Sequence, residues 1–136
     1  MGKFKHFLWF QVPAIAWAIA IFIQSSLSYI NAPDLGFNLQ DKLYHAIEYA
    51  IFGFLLRRTL VFQTNKFIRE NAGWLTILIG ATYAVSDEIH QFFVPGRSSD
   101  IGDVAADIVG ILIITLIYFI GKQFKNRGSQ QSIVST

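Results

Sequence analysis

The chain has 136 residues, 53% of them hydrophobic and only 15% charged, with 13 Phe, no Cys, a net charge of +2 and a mean hydropathy of +0.43. That length suits one domain, and a charged fraction well below the roughly 25% of an average soluble domain points to a membrane protein. The lack of Cys excludes disulfides and thiolate metal sites, no Gly/Ser linker or internal repeat divides the chain, and no nucleic-acid partner is expected.

In chain order, Lys3 and Lys5 precede an apolar run over 7–23 that only Gln11 interrupts. Pro13 sits in its first turns, where a kink is tolerable. At about 1.5 Å per residue the run is a slightly short membrane span. A signal peptide is the rival reading, with Ser26 and Ser28 near a cleavage point. The run is long for that role and further apolar segments follow, so we expect it to be retained. Residues 25–40 carry Ser, Asn, Pro, Asp and Gly and read as a loop. Asp41 is expected to N-cap a second helix whose apolar residues run over 43–56, a length at which a buried core helix and a span compete. Arg57, Arg58, Lys66 and Arg69 mark a basic loop. A third run covers 72–85, continues through the charged residues 87–91 to Val94, and is broken by Pro95-Gly96. The fourth covers 101–120, with Asp103 and Asp107 in its first two turns. The polar tail 122–136 is expected to lie in the cytoplasm without regular structure.

A soluble all-α bundle would show polar stripes at helical period. Runs 7–23 and 108–120 are apolar all round, and the polar residues gather at one end of each helix. The expected fold is therefore an all-α, four-helix transmembrane bundle, multi-pass in its membrane. Nine of the eleven Lys and Arg residues fall in the N-terminus, the second loop or the C-terminus, opposed there only by Glu70. The other side carries eight carboxylates against Lys42 and Arg97. By the bias of basic residues toward the cytoplasm, both termini are expected there.

The stretch 83–107 holds five carboxylates, one His and one Arg between apolar runs. Asp41, His45 and Tyr49 are four apart, with Gly53 following; Tyr83, Asp87 and Gln91 are four apart; Asp100, Asp103, Asp107 and Gly110 step by three, four and three. Each set lies on one helix face, and a charge facing hydrocarbon costs at least about 2.5–3.5 kcal/mol, so the faces should turn inward. Gly53, Gly102, Ala105, Ala106 and Gly110 would let the backbones approach. Polar residues can also act only as glue between helices. Two permanent cations cannot neutralise eight acids, however, so some acids must be protonated, hydrated or bound to a cation.

Individual residues carry several readings. His45 is a metal ligand, a general base or a hydrogen-bonded strut. His90, off the Asp87 face, is a boundary residue, and Glu48 is the partner of a basic group. Arg97 is the best anion-binding candidate because its planar fork suits phosphate or carboxylate; the bland reading pairs it with Asp100 or Asp103. Asp34 and Asp100 read as wet loop residues. Trp9, Trp17 and Trp74 are lipid-facing or packing residues.

The ordered set Asp41-Lys42-x-x-His45-x-x-x-Tyr49-x-x-x-Gly53, Tyr83-x-x-x-Asp87-Glu88-x-x-Gln91, Pro95-x-Arg97 and Asp103-x-x-x-Asp107-x-x-Gly110 resembles the VanZ-like membrane proteins, and Ser25-Ser26 fits as well. Ile114 departs from that pattern, where a second small residue is expected. The resemblance implies a small multi-pass bacterial membrane protein in a family whose founding member is associated with teicoplanin resistance. It implies no particular reaction.

Two functional classes follow. In the first, an extracytoplasmic-facing pocket binds an anionic lipid head group or a lipid-linked, glycopeptide-related envelope ligand. Lys42, Tyr49, Gln91 and Arg97 hold it, Asp41 and Tyr83 complete the pocket, and the acids hold a bridging cation. In the second, the protein is an intramembrane enzyme acting on a phosphorylated lipid head group. His45, Asp87, Glu88 and Asp103 are then the catalytic candidates, and Asp87, Glu88, Asp103 and Asp107 the ligands of a hard divalent ion such as Mg²⁺. No P-loop or HExxH motif supports catalysis directly, which favours the first class. A proton or cation pathway fits poorly, because the charges stop in the outer half.

Overall fold

In a computed structural model, residues 2–28 and 39–134 are described, with side chains as far as Arg127. Among the described residues all regular structure is helical: α1 (Lys3–Phe10), α2 (Val12–Ser25), α3 (Gln40–Val61), α4 (Lys66–Glu70), α5 (Ala72–Phe92) and α6 (Ile101–Val134). Asp34 lies outside the described residues.

The first apolar run forms two helices, α1 and α2, bent by 42° at Gln11. Pro13, at the start of α2, explains the break: it has no N–H for the Trp9 carbonyl, and its ring crowds that carbonyl. Helix α3 begins before Asp41, with Leu39 at the cap position and no side-chain cap. Asp41 is thus a first-turn residue and not the N-cap expected from sequence; there the unpaired N–H groups still favour its charge. The basic loop contains the short α4, which Asn65 caps by accepting from Ile68 N at 3.3 Å. Gly96, with φ of 83°, makes the turn between α5 and α6, a conformation only glycine adopts without strain. Helix α6 continues through the polar stretch 122–134, where the sequence reading expected no regular structure. No proline interrupts it there, so backbone pairing can run on past the apolar part.

Helices α3 and α6 run side by side in the same direction. A Cβ on Gly110 would fall on the Ala46 carbonyl oxygen, and one on Gly53 would touch Ile111 Cα at 3.4 Å. Helix α5 runs opposite to both and packs at the same level, where a Cβ on Gly80 would come within 2.6 Å of Ile111 Cδ1. The core between these helices holds Tyr49, Phe52, Leu56, Ala84 and Ile111. The bent α1–α2 pair closes it through Ile21 and three hydrogen bonds. Trp17 Nε1 donates to Glu48 O at 3.1 Å, Tyr83 Oη donates to Ala18 O at 2.6 Å, and the Thr59 hydroxyl donates to Phe10 O. Trp17 is therefore a packing residue, while Trp9 and Trp74 are exposed.

The outward faces are apolar, with Ile15, Ile19, Leu78, Ile113 and Leu116 exposed, which a soluble monomer rarely tolerates over so much surface. Helix Ile101–Arg127, with hydropathy 2.4, is long and apolar enough to cross a membrane, and the bent α1–α2 pair is a second candidate if it counts as one span. Helices α3 and α5 fall short of that measure because they carry charged residues, Arg57 and Arg58 in α3 and, in both, those that gather at one end of the bundle. Lys42, His45, Asp87, Asp103 and Asp107 lie at that end, and Arg57, Arg58, Arg69, Lys122 and Lys125 at the other.

Candidate functional site

The rim of the polar end is formed where the start of α3 meets the start of α6. Lys42 Nζ donates to Asp100 Oδ2 at 2.6 Å and to Asp103 Oδ1 at 2.8 Å. The Gly102 N–H donates to Asp100 Oδ1 at 2.8 Å. The Lys42 ammonium, and after it this N–H, hold the exposed Asp100 carboxyl below its usual range. Asp100 is thus tied into the rim, not merely a wet loop residue.

One turn inside the rim, His45 Nδ1 lies 3.1 Å from Asp107 Oδ1, and Nε2 lies 3.9 Å from Asp103 Oδ2. Asp107 is only 1% exposed and Asp103 5%. With Asp107 ionised, Nδ1 is the donor to it, and Nε2 is left on the side of Asp103. Ligand atoms of Asp41, His45 and Asp103 all lie within 4.8 Å of one another. A separation of 3.9 Å is too long for a hydrogen bond. It is near the spacing of two donors sharing one ion, given metal–ligand bonds of about 2.0–2.2 Å.

Deeper in the bundle, Asp87 accepts from Ser25 Oγ at 2.6 Å and from Gln91 Nε2 at 3.1 Å, with all three side chains buried. Tyr49 is fully buried, and its hydroxyl has no hydrogen-bond partner among the described residues. It stands within electrostatic reach of Asp87, Asp107 and Glu48. Among the described residues, no group closes this polar network at the Tyr49 hydroxyl. Glu48 receives Gln24 Nε2 at 3.4 Å, and the basic groups of His45 and Arg97 stand within electrostatic reach of it.

The structure brings Asp41, Lys42, His45, Asp103 and Asp107 together and turns other candidates elsewhere. Glu88 follows Asp87 by one residue, about 100° around the helix. It accepts the Asp100 backbone N–H and fixes the start of α6. The members of the expected metal set Asp87, Glu88, Asp103 and Asp107 take different partners in the structure. Asp87 is engaged by Ser25 and Gln91, Glu88 faces the α6 backbone and Asp107 holds His45. Among the described residues, the three-donor group is Asp41, His45 and Asp103. Among the described residues Arg97 forms no ion pair with Asp87, Asp100 or Asp103: its Nε and Nη2 donate to Ser25 O at 3.4 Å and Gln24 O at 3.3 Å, next to the Ser25 hydroxyl that binds Asp87. It closes the end of α2, whose last carbonyls lack helical partners. Tyr83 spans from α5 to α2, and Gln91 is spent on Asp87. His90 meets Ser26 Oγ at 2.9 Å and stacks on Phe22. Ser25, the direct partner of Asp87, was absent from the sequence-based site; its place at the end of an otherwise apolar run was the available signal.

The model of the VanZ/LLP1 family matches residues 5–122, from the start of α1 to beyond the apolar part of α6. The chain belongs to the VanZ/LLP1 family. No curated protein and no solved structure matches it significantly. The matched region contains the whole of the polar end, so the Lys42–Asp103 rim and the His45–Asp107 pair are features of a VanZ/LLP1 chain and not of an appended segment.

Proposed function

We propose that this VanZ/LLP1 protein is a four-span protein of the bacterial plasma membrane with both termini in the cytoplasm. Its polar end faces out of the cell, holds a divalent cation and, through it, an anionic lipid head group or lipid-linked envelope ligand. The observation that carries the reading is the convergence of Asp41, His45 and Asp103 on one point. Two carboxylates and an imidazole suit the borderline ion Zn²⁺, or Mn²⁺, which accepts mixed oxygen and nitrogen donors, better than Mg²⁺, which prefers oxygen donors and water. Asp107 would act behind the ligands, orienting the ring through Nδ1. Lys42, half-exposed at the rim, supplies a cation to an arriving anion, while the buried Tyr49 hydroxyl supplies a further polar contact inside. An anion entering this acid-lined end needs a bridging cation, because the acids outnumber Lys42 and His45.

The second reading is a metal-dependent enzyme acting on a phosphorylated lipid head group. The Asp107–His45 pair favours it, because an oriented imidazole beside a bound ion can serve hydrolysis. Titration of the purified protein with Mn²⁺, Zn²⁺ and Mg²⁺ by calorimetry tests the common part. Binding that is lost in both His45→Ala and Asp103→Asn supports it, and unchanged binding in both refutes it. Phosphate release from a lipid phosphomonoester, dependent on the same ion, would select the enzyme.

A further inference from the structure

At the end of the bundle opposite the acids, the last turns of α3, the α4 loop, the first turn of α5 and the middle of α6 enclose a cavity of about 1050 Å³. Its walls are apolar, with Phe54, Ile114, Ile117 and Tyr118 prominent, while Arg57, Arg58, Arg69, Lys122 and Lys125 bring positive charge to it. Glu70 is the one acid in the lining, and it already faces Lys66 at 3.8 Å. Arg57 stands at the centre of this arrangement. Its guanidinium stacks over the Tyr118 ring, with the carbon 4.9 Å from the ring centroid. Its Nε and Nη1 are shielded from solvent and have no hydrogen-bond partner among the described residues. The Nε–H points to the Nη2 side of the guanidinium and Nη1 lies on the Cδ side, so among the described residues the charge is held without a local acceptor on either edge, and an anion at the mouth of the cavity would compensate it. Gly73, whose added Cβ would lie 3.1 Å from Arg57 Nη1, leaves the room in which that side chain lies.

We propose that this cavity is a second site, separate from the acidic pocket, and that it holds an anionic phospholipid of the surrounding leaflet. The phosphodiester is drawn to the positive charge of Arg57 and Arg58. Arg69 and Lys122 add charge at the mouth, and an acyl chain lies along Ile114 and Ile117. A small free anion would satisfy the arginine but leave the apolar wall wet, whereas a lipid satisfies both. The site rests on the reading that the helices lie in a membrane. It does not depend on what the acidic end binds.

The test uses the full chain in a neutral detergent, delipidated, with phosphatidylglycerol, phosphatidylcholine or inorganic phosphate added. Bound lipid is counted by native mass spectrometry and the melting temperature is followed in parallel. The expected result is one phosphatidylglycerol retained in preference to phosphatidylcholine, with a raised melting temperature. Affinity should fall about fivefold in Arg69→Gln and at least about tenfold in Arg57→Gln, at roughly a fivefold loss for each basic residue near a charged head group. Arg57→Lys should recover part of the loss, and Lys5→Gln should leave retention unchanged. If Arg57→Gln does not fold, Arg69→Gln and Arg57→Lys carry the measurement. Equal retention of both lipids, or no loss in any of these Arg variants, overturns the proposal. So does displacement by inorganic phosphate at matching concentration, which would mean a free anion. Dimerisation that occurs only without lipid and vanishes in Arg57→Gln would assign the cavity to a second copy and also overturns it.

Discussion

His45 is held by Asp107 from behind: Nδ1 meets the buried carboxylate at 3.1 Å, and the opposite ring nitrogen is thereby turned toward Asp103. An orienting partner of this kind typically changes ion affinity by about 10–100-fold. Asp107→Asn should therefore weaken Mn²⁺ or Zn²⁺ binding by that order while leaving a measurable site, whereas His45→Ala should remove most of it. Calorimetric titration distinguishes the two. Equal losses in both variants would mean that Asp107 is not an orienting residue.

Gly110 sets how closely α3 and α6 approach. Gly110→Ala places a methyl group on the Ala46 carbonyl oxygen, and backbone cannot yield as a side chain does. Overpacking of this sort costs about 1–3 kcal/mol and occasionally more. Gly53→Ala, which makes an ordinary 3.4 Å contact with Ile111, should cost less. Thermal unfolding in detergent provides the comparison, and an equal cost would contradict the packing described.

Arg97 serves two carbonyls at the end of α2. Hydrogen bonds from a charged group are worth about 1.5–3 kcal/mol. Arg97→Lys keeps the charge but cannot reproduce the fork, so it should recover only part of the stability lost in Arg97→Ala. Full recovery in melting curves would show that charge alone matters.

The rim gives a pH dependence with a definite sign. Asp100 is held below its ordinary pKa of 3.8, chiefly by Lys42. A depressed folded pKa means that the group stabilises the fold above its unfolded value, and that this contribution is lost as pH falls through the folded value. Wild type should therefore melt higher than Asp100→Asn by a constant margin from about pH 5 upward, and the margin should close as the pH drops below the ordinary aspartate range. A margin that widens with acid would contradict the assignment.

The proposed topology is open to a direct test, since the chain has no Cys. Ser99→Cys and Thr64→Cys place single exposed thiols at the acidic and the basic end respectively. In intact cells an impermeant maleimide should label the first and not the second. The reverse pattern would invert the orientation, and labelling of both would exclude an odd-even alternation of four spans. Intact mass should show residues 1–28 retained; their loss would restore the signal-peptide reading.

Much of this arrangement was legible in the chain because helical period and charge segregation are local. Steps of three and four residues put Asp41 with His45, and Asp103 with Asp107, on single faces. Hydrocarbon then left only the interior for them. Gly110 and Gly53 announced the close approach that the structure has. Which partner each group takes was not legible, because that depends on azimuth and reach across helices. Glu88 and Asp87 are neighbours in sequence but face different elements, and Arg97 reaches carbonyls that no sequence pattern marks. Backbone acceptors carry no side-chain signature, so a reading based on residue types pairs arginine with acids by default. The cavity around Arg57 was missed for a related reason: its basic residues read as a loop until α6 was seen to run on beside them.

The contact between Ala46 and Gly110 lies between the two polar ends of the α3–α6 seam. Helices that already touch backbone to backbone cannot come closer at that level, so an inward movement at one mouth turns about the contact. The freedom left to them is a rocking about that fulcrum, in which spreading at one mouth narrows the other. A cation drawing Asp41, His45 and Asp103 inward at one end would then widen the seam at the other, where Arg57 and Tyr118 meet. Thermodynamic linkage makes such an effect reciprocal: the factor by which ion binding changes phospholipid affinity equals the factor by which phospholipid changes ion affinity. The two sides of the bilayer would thus report to each other through one glycine.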